Sequence, residues 1–499
     1  MKFLVLDSGG LCVDMARAIG ADGNEVFYYC PWQNGFPKFQ DGAVGFGIPE
    51  IKKVLDYAPY LDQVDVIFIP DTGLGPLGHY LREKGYAVFS AGLGETLEAD
   101  RARSVEIMNS LGIETPETHT VRGVKEAKAF FKKAFSVTET NQSAPGKYFV
   151  KLNIWRGTQD SFPVENLQLA EYMLGGLESK FGPFAQSLEL IIQKKVEGIE
   201  CGFDALVVNG RFLKPLMIGF ESSNSYVGYM SEDASIWTED LKKFETYLET
   251  VNYRGFFSVE AFFDGKTNRY VDITARTPLP LGLLYPTFSP NFPGLIHDIA
   301  QGRCDSSHFE TGTFLGGAEI ECDNVKTEWL PLTVGKNTRL IRYMMQEGQA
   351  FSIPGGEATI GIVCAKGHSL EEVEQGIQKE AEDLNIFFSK CSVDFLNQVR
   401  TDYIKPLKDL GFDFDALTQT QNLKPVTKTN PMPPQKKSFR NKDVAPSPKK
   451  QESKDPLDEI DALMESIPLQ KGKPEAPQRP NRNSSVFVCP VDPYGIPLP

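Results

Sequence analysis

The sequence predicts an α/β protein. It has an N-terminal doubly wound parallel-sheet domain (residues 1–98), a central two-lobed domain (99–315), a small α+β domain (316–415) and a disordered tail (416–499). Three observations predict this. Strand and helix patterns alternate over the first hundred residues, as in a parallel sheet covered by helices. Antiparallel-style apolar strands follow, including a hairpin turned by Asp264-Gly265-Lys266. Beyond about residue 418, prolines, lysines and serines dominate and apolar periodicity is lost.

In the first domain the strands are Phe3–Leu6, Val26–Tyr29, Val64–Ile69 and Ala87–Phe89, with helical patterns at Val13–Ile19 and Gly78–Lys84. Ligands of such sheets sit at the carboxyl ends of strands. Asp7-Ser8-Gly9-Gly10 and Asp71-Thr72-Gly73 stand at two such ends. Gly9, Gly10 and Asp71 are therefore candidate substrate contacts, and tight strand-to-helix turns would read the same way.

The central region has a helix at about Ala99–Leu111. Its strands are Tyr148–Leu152, Leu188–Lys195, Gly202–Val208, Phe212–Ile218, Phe256–Phe263 and Arg269–Ile273. In the third region Pro354-Gly355-Gly356 precedes the strand Ala358–Cys364. The helix Ser369–Leu384 opens on a capping box of Ser369 and Glu372.

The net charge of -14 argues against a nucleic-acid binder that relies on bulk positive charge. Eight cysteines are scattered without a C-x-x-C pair, which fits a reducing compartment and shows neither a zinc knuckle nor a dithiol motif. The N-terminus has no signal-peptide layout, and no apolar run approaches the ~18–20 residues of a membrane span. A soluble, cytoplasmic protein is expected. In the tail, eight basic residues and one acid lie between Lys424 and Lys450. An apolar island at Leu457, Ile460, Leu463, Met464 and Ile467 has helical spacing. Residues 455–469 can fold onto a protein partner or remain a solvated, nascent helix.

Four pieces of the central region fit the binding of a nucleoside triphosphate and its metal. Lys151 ends an apolar strand, where its ammonium can reach phosphate oxygens. A polar loop, Asn153 to Asp160, follows it and includes Arg156 and Gly157. The strand Leu190–Gln193 runs through Lys194, Lys195 and Val196 to Gly198 and Glu200; backbone groups of such a linker can pair a purine edge and the acid can hold ribose hydroxyls. Glu260 lies in an apolar strand opposite Asp272 and Thr274, oxygen donors suited to Mg²⁺. A structural Glu260–Arg276 salt bridge is the competing explanation. Arg101, at a helix start, can contact terminal phosphates.

In this order the pieces resemble the ATP-grasp superfamily, and within it phosphoribosylamine–glycine ligases, over residues 1 to about 412. The opening Leu4 to Gly10, the stretch Asp65 to Gly92, and Gly355-Gly356 through Leu384 carry the resemblance. It implies that Arg101 and Lys151 contact phosphates, with Arg156 and Gly157 of the polar loop as further ATP-binding candidates, that Gln193, Lys194 and Val196 face adenine, and that Glu200 holds the ribose. Glu260, Asp272 and Thr274 would stand at the metal (Mg²⁺ or Mn²⁺), and Arg276 would stabilise the transferring phosphoryl group. The implied reaction is ATP-dependent ligation of a carboxylate to an amine through an acyl phosphate, as in purine biosynthesis.

The chain also departs from the family. Asp272-x-Thr274-x-Arg276 replaces E-x-N-x-R, and Thr277-Pro278-Leu279 replaces D-P-E. The glycine-rich phosphate loop is absent, Gln193 stands where the family has an acid, and a basic stretch is missing near Gly219-Phe220-Glu221-Ser222. Three functions therefore stand side by side: a glycinamide ribonucleotide-forming ligase, a ligase for another acid and amine, and a non-enzymatic nucleotide- or partner-binding descendant.

Overall fold

A computed structural model describes residues 1–32, 44–136, 147–154, 161–222, 225–232, 234, 236–279, 281–333, 335–355, 357–384 and 389–409. These belong to one compact unit, Met1–Lys424. Arg156, Gly157, Gly356 and the tail lie outside the described residues.

Five parallel strands form the first sheet: β1 (Lys2–Leu6), β2 (Glu25–Tyr29), β3 (Lys52–Val54), β4 (Val66–Phe68) and β5 (Val88–Phe89). Their order is β3-β2-β1-β4-β5. Phe3 and Val5 of β1 enter one core and Leu4 and Leu6 another. Burial on both faces explains why the strand reads as an unbroken apolar run.

The smaller lobe is a four-stranded sheet of β6 (Thr118–Arg122), β7 (Tyr148–Leu152), β8 (Phe162–Val164) and β9 (Glu189–Lys194), in the order β6-β9-β7-β8. Helices Val124–Ser136 and Leu167–Phe181 cover one face. Val150, Leu152, Leu190 and Ile192 pack beneath them. Side chains alternate along a strand, so Lys151 and Gln193 belong to the other face.

The larger lobe contains β10 (Ile199–Val208), β11 (Arg211–Phe212), β12 (Leu216–Ser222), β13 (Ser225–Ser231), β14 (Gly255–Phe263) and β15 (Asn268–Thr274). Its sheet continues into the third region through β16 (Phe314–Glu321). Beyond lie β17 (Pro331–Leu332), β18 (Thr338–Leu340), β19 (Tyr343–Gln346), β20 (Gln349–Ser352) and β21 (Thr359–Gly367). The main path is β15-β14-β10-β12-β13-β16-β21-β18, so one sheet crosses residues 315 and 316 without a break.

The segment expected as one strand at Phe212–Ile218 is two, β11 and β12, separated around Pro215, which has no N–H for a ladder. Of the expected capping box, the Ser369 half forms, while Glu372 reaches back to the residue before the cap. Ser369 Oγ accepts from Glu372 N at 3.2 Å, and Glu372 Oε2 accepts from His368 N at 2.7 Å. Helical residues 395–409 lie beside β10 and β12, with the Tyr403 ring 5.7 Å from that of Phe220. Among the described residues no helix is long and apolar enough to cross a membrane.

Candidate active site

The floor of the site follows from strand register. Gly202 of β10 stands opposite both Gly219 of β12 and Glu260 of β14, and Glu260 stands opposite Asp272 of β15. Directly opposed residues share a face, as do residues two apart. Glu200, Asp204, Glu221, Glu260, Asp272 and Thr274 therefore point the same way. The opposite face, with Phe203 and Phe257, packs on Trp237 and Phe244. Glu200, Glu221 and Glu260 are open to solvent although protein surrounds them on most sides, which describes the lining of a cleft.

Among the described residues two cations reach Asp272. Lys151 Nζ of the smaller lobe lies 3.6 Å from Asp272 Oδ2 and donates to Val271 O at 3.0 Å. Arg101 Nη2 lies 3.5 Å from the same oxygen. Local structure fixes Arg101. Asp100 caps the helix Arg101–Ser110 by accepting from Arg103 N, and Asn153 Nδ2 donates to Asp100 at 3.2 Å. Asn153 Oδ1 accepts from Ala102 N at 2.7 Å, and Arg101 Nη1 donates to Leu152 O at 3.2 Å. The helix start is thereby tied to the end of β7, beside Lys151. Arg101 Nε is buried and has no hydrogen-bond partner among the described residues.

Arg276 pairs with Glu98, an acid the sequence reading passed over. Its Nε donates to Glu98 Oε1 at 2.8 Å, while Glu98 Oε2 accepts from Ala275 N at 2.9 Å. Arg276 Nε is 3.9 Å from Asp71 Oδ1, so the expected substrate residue Asp71 and the expected catalytic arginine do meet. Gly9 and Gly10 serve their turn. Gly10, at φ 74°, gives its N–H to Asp7, and the two carbonyls accept from Arg342.

The remaining candidates lie along the lobe junction. Gln193 is buried with Nε2 3.4 Å from Thr118 Oγ1. Lys194 N donates to Glu117 O, Val196 is half-buried, and Glu200 opens the floor. Thr274 stands opposite Ser258, next to Asp204. The sequence reading also missed Asp204 and Glu221. Their signal was an acid at alternate positions of strands otherwise apolar, Glu200-x-Gly202-x-Asp204 and Phe220-Glu221.

The acids repel one another and burial adds to this. Burial raises Glu260 to about 7, with Asp272 adding and Lys151 opposing. Burial also raises Glu200, and raises Glu221 well above the carboxylate range with a further push from Glu260. For Asp272 burial acts upward, but Lys151 and Arg101 outweigh it and hold the group below its ordinary value. Elsewhere burial raises Asp7 and Asp204 to about 6 and Glu95 and Glu98 to about 7.

Apart from Asp272, these buried acids shift in one direction, upward. An acid with a raised folded value binds its proton more tightly folded than unfolded, so its contribution is fully present below the unfolded value and is lost as pH rises through the folded value. Between about pH 4.5 and 7 the ligand-free protein is expected to become less stable as pH rises. Melting curves at pH 5.5 and 7.5 check this; a higher melting temperature at 7.5 would contradict it.

Neither a comparison with protein-family models nor a search of curated proteins gives a match. Solved structures do match. Phosphoribosylamine–glycine ligase of Thermotoga maritima aligns with 16% identity and a TM-score of 0.58, over 78% of this chain and 99% of that one. The biotin carboxylase domain of Hydrogenobacter thermophilus 2-oxoglutarate carboxylase, solved with MgADP, ADP and bicarbonate, aligns with 13% identity and a TM-score of 0.58, over 84% and 98%. N5-carboxyaminoimidazole ribonucleotide synthetase of Thermotoga maritima aligns with 12% identity and a TM-score of 0.51, over 77% and 99%. The chain has the fold of these ATP-grasp proteins.

Proposed function

We propose that this protein binds ATP between its two lobes and uses it to join a carboxylate to an amine through an acyl phosphate. One observation carries the reading: Lys151 and Arg101, from the smaller lobe and its entry helix, converge on Asp272 beside Glu260 on the larger lobe. Cations positioned by one lobe and acids by the other suit a bound triphosphate and its counter-ion.

The donor set fits Mg²⁺ or Mn²⁺. Glu260 and Asp272 offer carboxylate oxygens from facing strands, and Mg²⁺ commonly takes one or two carboxylates together with substrate phosphates. Glu260 and Asp272 would hold the ion, with Thr274 beside them, and the bound ion would neutralise charge on the phosphate oxygens. Lys151 and Arg101 orient the phosphates. Gln193 and the Lys194–Val196 backbone border the base, and Glu200 the ribose. Arg276, held by Glu98, faces the transferring group and its charge.

Glycine and phosphoribosylamine are the substrates suggested by the first resemblance. The chain's own residues favour another pair: Thr277-Pro278-Leu279 replaces the family's acidic segment, and its basic stretch is missing near Gly219-Phe220-Glu221-Ser222. The test is phosphate release by purified full-length protein with ATP, Mg²⁺ and a panel of acids and amines. Release that requires both an acid and an amine is expected. Release with glycine and phosphoribosylamine alone would assign that pair. Nucleotide binding without turnover across the panel would overturn the ligase reading.

A further inference from the structure

In a doubly wound sheet, backbone N–H groups and helix N-termini gather at the carboxyl ends of the strands and ordinarily take an anion there. After β1 and after β4 these donors are already used from within. Asp7, buried at the end of β1, accepts from Gly10 N at 2.8 Å and from Cys12 N at 2.9 Å, directly before the helix Val13–Ala21. The Tyr28 hydroxyl donates to the same carboxylate at 2.7 Å. Beyond β4, buried Glu95 accepts from Gly73 N at 2.9 Å and from Gly75 N at 2.7 Å, where the helix Gly75–Glu83 begins. Cys12 and Leu74, at the two cap positions, make no side-chain cap bond, so the distant carboxylates do that work.

The fit at Glu95 is close. A methyl group on Gly75 would stand 2.5 Å from both Glu95 Oε2 and Gly92 O, so the turn is shaped around the carboxylate. Glu95 ends the short segment Gly92–Glu95, and Glu98 follows in Thr96–Ala99. Glu95 thereby holds the turn after Asp71, while Glu98 holds Arg276, which lies 3.9 Å from Asp71. Ser8 Oγ braces the same turn, 3.1 Å from Asp71 Oδ2 and 2.8 Å from Thr72 O.

These contacts bear on what can enter beside Arg276. A phosphate group is recognised by free N–H donors and by positive charge. Here the donors of both turns are occupied, and the groups that occupy them are carboxylates, which disfavour a second anion. The phosphates of a nucleotide are not affected, since Lys151 and Arg101 approach Asp272 from the smaller lobe and its entry helix.

We propose that Glu95, together with Asp7, is a specificity determinant that keeps phosphate groups out of the first sheet's crevice, so that the co-substrate bound beside Asp71 and Arg276 carries no phosphate. This rests on the ligase reading and narrows its substrate class, against a phosphorylated amine.

The test titrates full-length wild type, Glu95→Ala and Glu95→Gln with inorganic phosphate at about pH 8, above the value near 7 to which burial raises Glu95. Phosphate held by Lys151 and Arg101 is common to all three proteins, so the difference between them reports the turn. Glu95→Ala frees both N–H groups and removes the charge, and is expected to bind phosphate about tenfold or more tightly than wild type. Glu95→Gln keeps the side chain's volume and should fall between the two; it keeps the comparison decisive if Glu95→Ala does not fold. Equal phosphate affinity in wild type and the folded variants would overturn the proposal. In the turnover panel, amines are offered with and without a phosphate ester, as 2-aminoethanol and its phosphate. Wild type should use the free amine with a kcat/KM about tenfold or more above that of the ester, and equal use or a preference for the ester would overturn the proposal. If no pair supports turnover, the ligase reading falls, and the phosphate titration still decides the role of Glu95.

Discussion

Lys151→Ala is expected to weaken Mg-ATP binding about ten- to a hundredfold, the equivalent of roughly 1.5–3 kcal/mol for a lost charge-assisted contact. The lysine sits at the end of β7 with its ammonium between Val271 O and Asp272, where a phosphate oxygen can share it. Glu260→Gln gives a second arm with a distinctive pairing of effects. Ionised Glu260 is unfavourable in the empty cleft, since burial and Asp272 both raise its proton affinity. The amide should therefore leave the ligand-free protein as stable or slightly more stable at pH 8 while weakening Mg²⁺-dependent nucleotide binding. Calorimetric titration alongside melting curves measures both. Unchanged nucleotide affinity in both variants would reject the assignment of the site.

Glu98→Ala is expected to have the largest effect on stability, about 3–5 kcal/mol, because it removes the nearest carboxylate from a buried arginine and leaves Asp71, at 3.9 Å, as the more distant one. Glu98 is 2% exposed and holds both the Arg276 guanidinium and the Ala275 N–H. The melting temperature should fall by roughly 5 °C. Glu98→Gln retains an acceptor and should recover part of the loss. If Glu98→Ala melts with wild type, the pair does not organise the junction. A turnover assay separates positioning from stability: at a temperature where both variants remain folded, a displaced Arg276 should reduce kcat more than it raises KM.

The parts of the site that were legible in the sequence are those carried by local pattern. The apolar runs Tyr148–Val150 and Leu190–Ile192 were readable as strands that carry Lys151 and Gln193, and they are the neighbouring strands β7 and β9. The hairpin was readable from Asp264-Gly265-Lys266, and with it the opposition of Glu260 and Asp272. What failed depended on distance in sequence. Glu98 finds Arg276 across 178 residues, so nothing near either one signalled the pair. Thr118–Arg122 lacks apolar alternation because it is an edge strand, half-exposed along its length. Ser225–Ser231 is rich in serine, tyrosine and glycine, and is a strand because β12 and β16 flank it. Its Tyr226 crosses Gly219 to reach Asp204, a relation that only the register of three strands reveals.

The most direct measurement is a titration of the full-length wild-type protein with ATP in the presence of Mg²⁺, repeated after chelation. The account predicts saturable binding of one nucleotide per chain that weakens markedly when the metal is removed, since Glu260 and Asp272 then face the triphosphate without a bridging cation. Absence of saturable binding with Mg²⁺, or binding equally tight without it, would contradict the account.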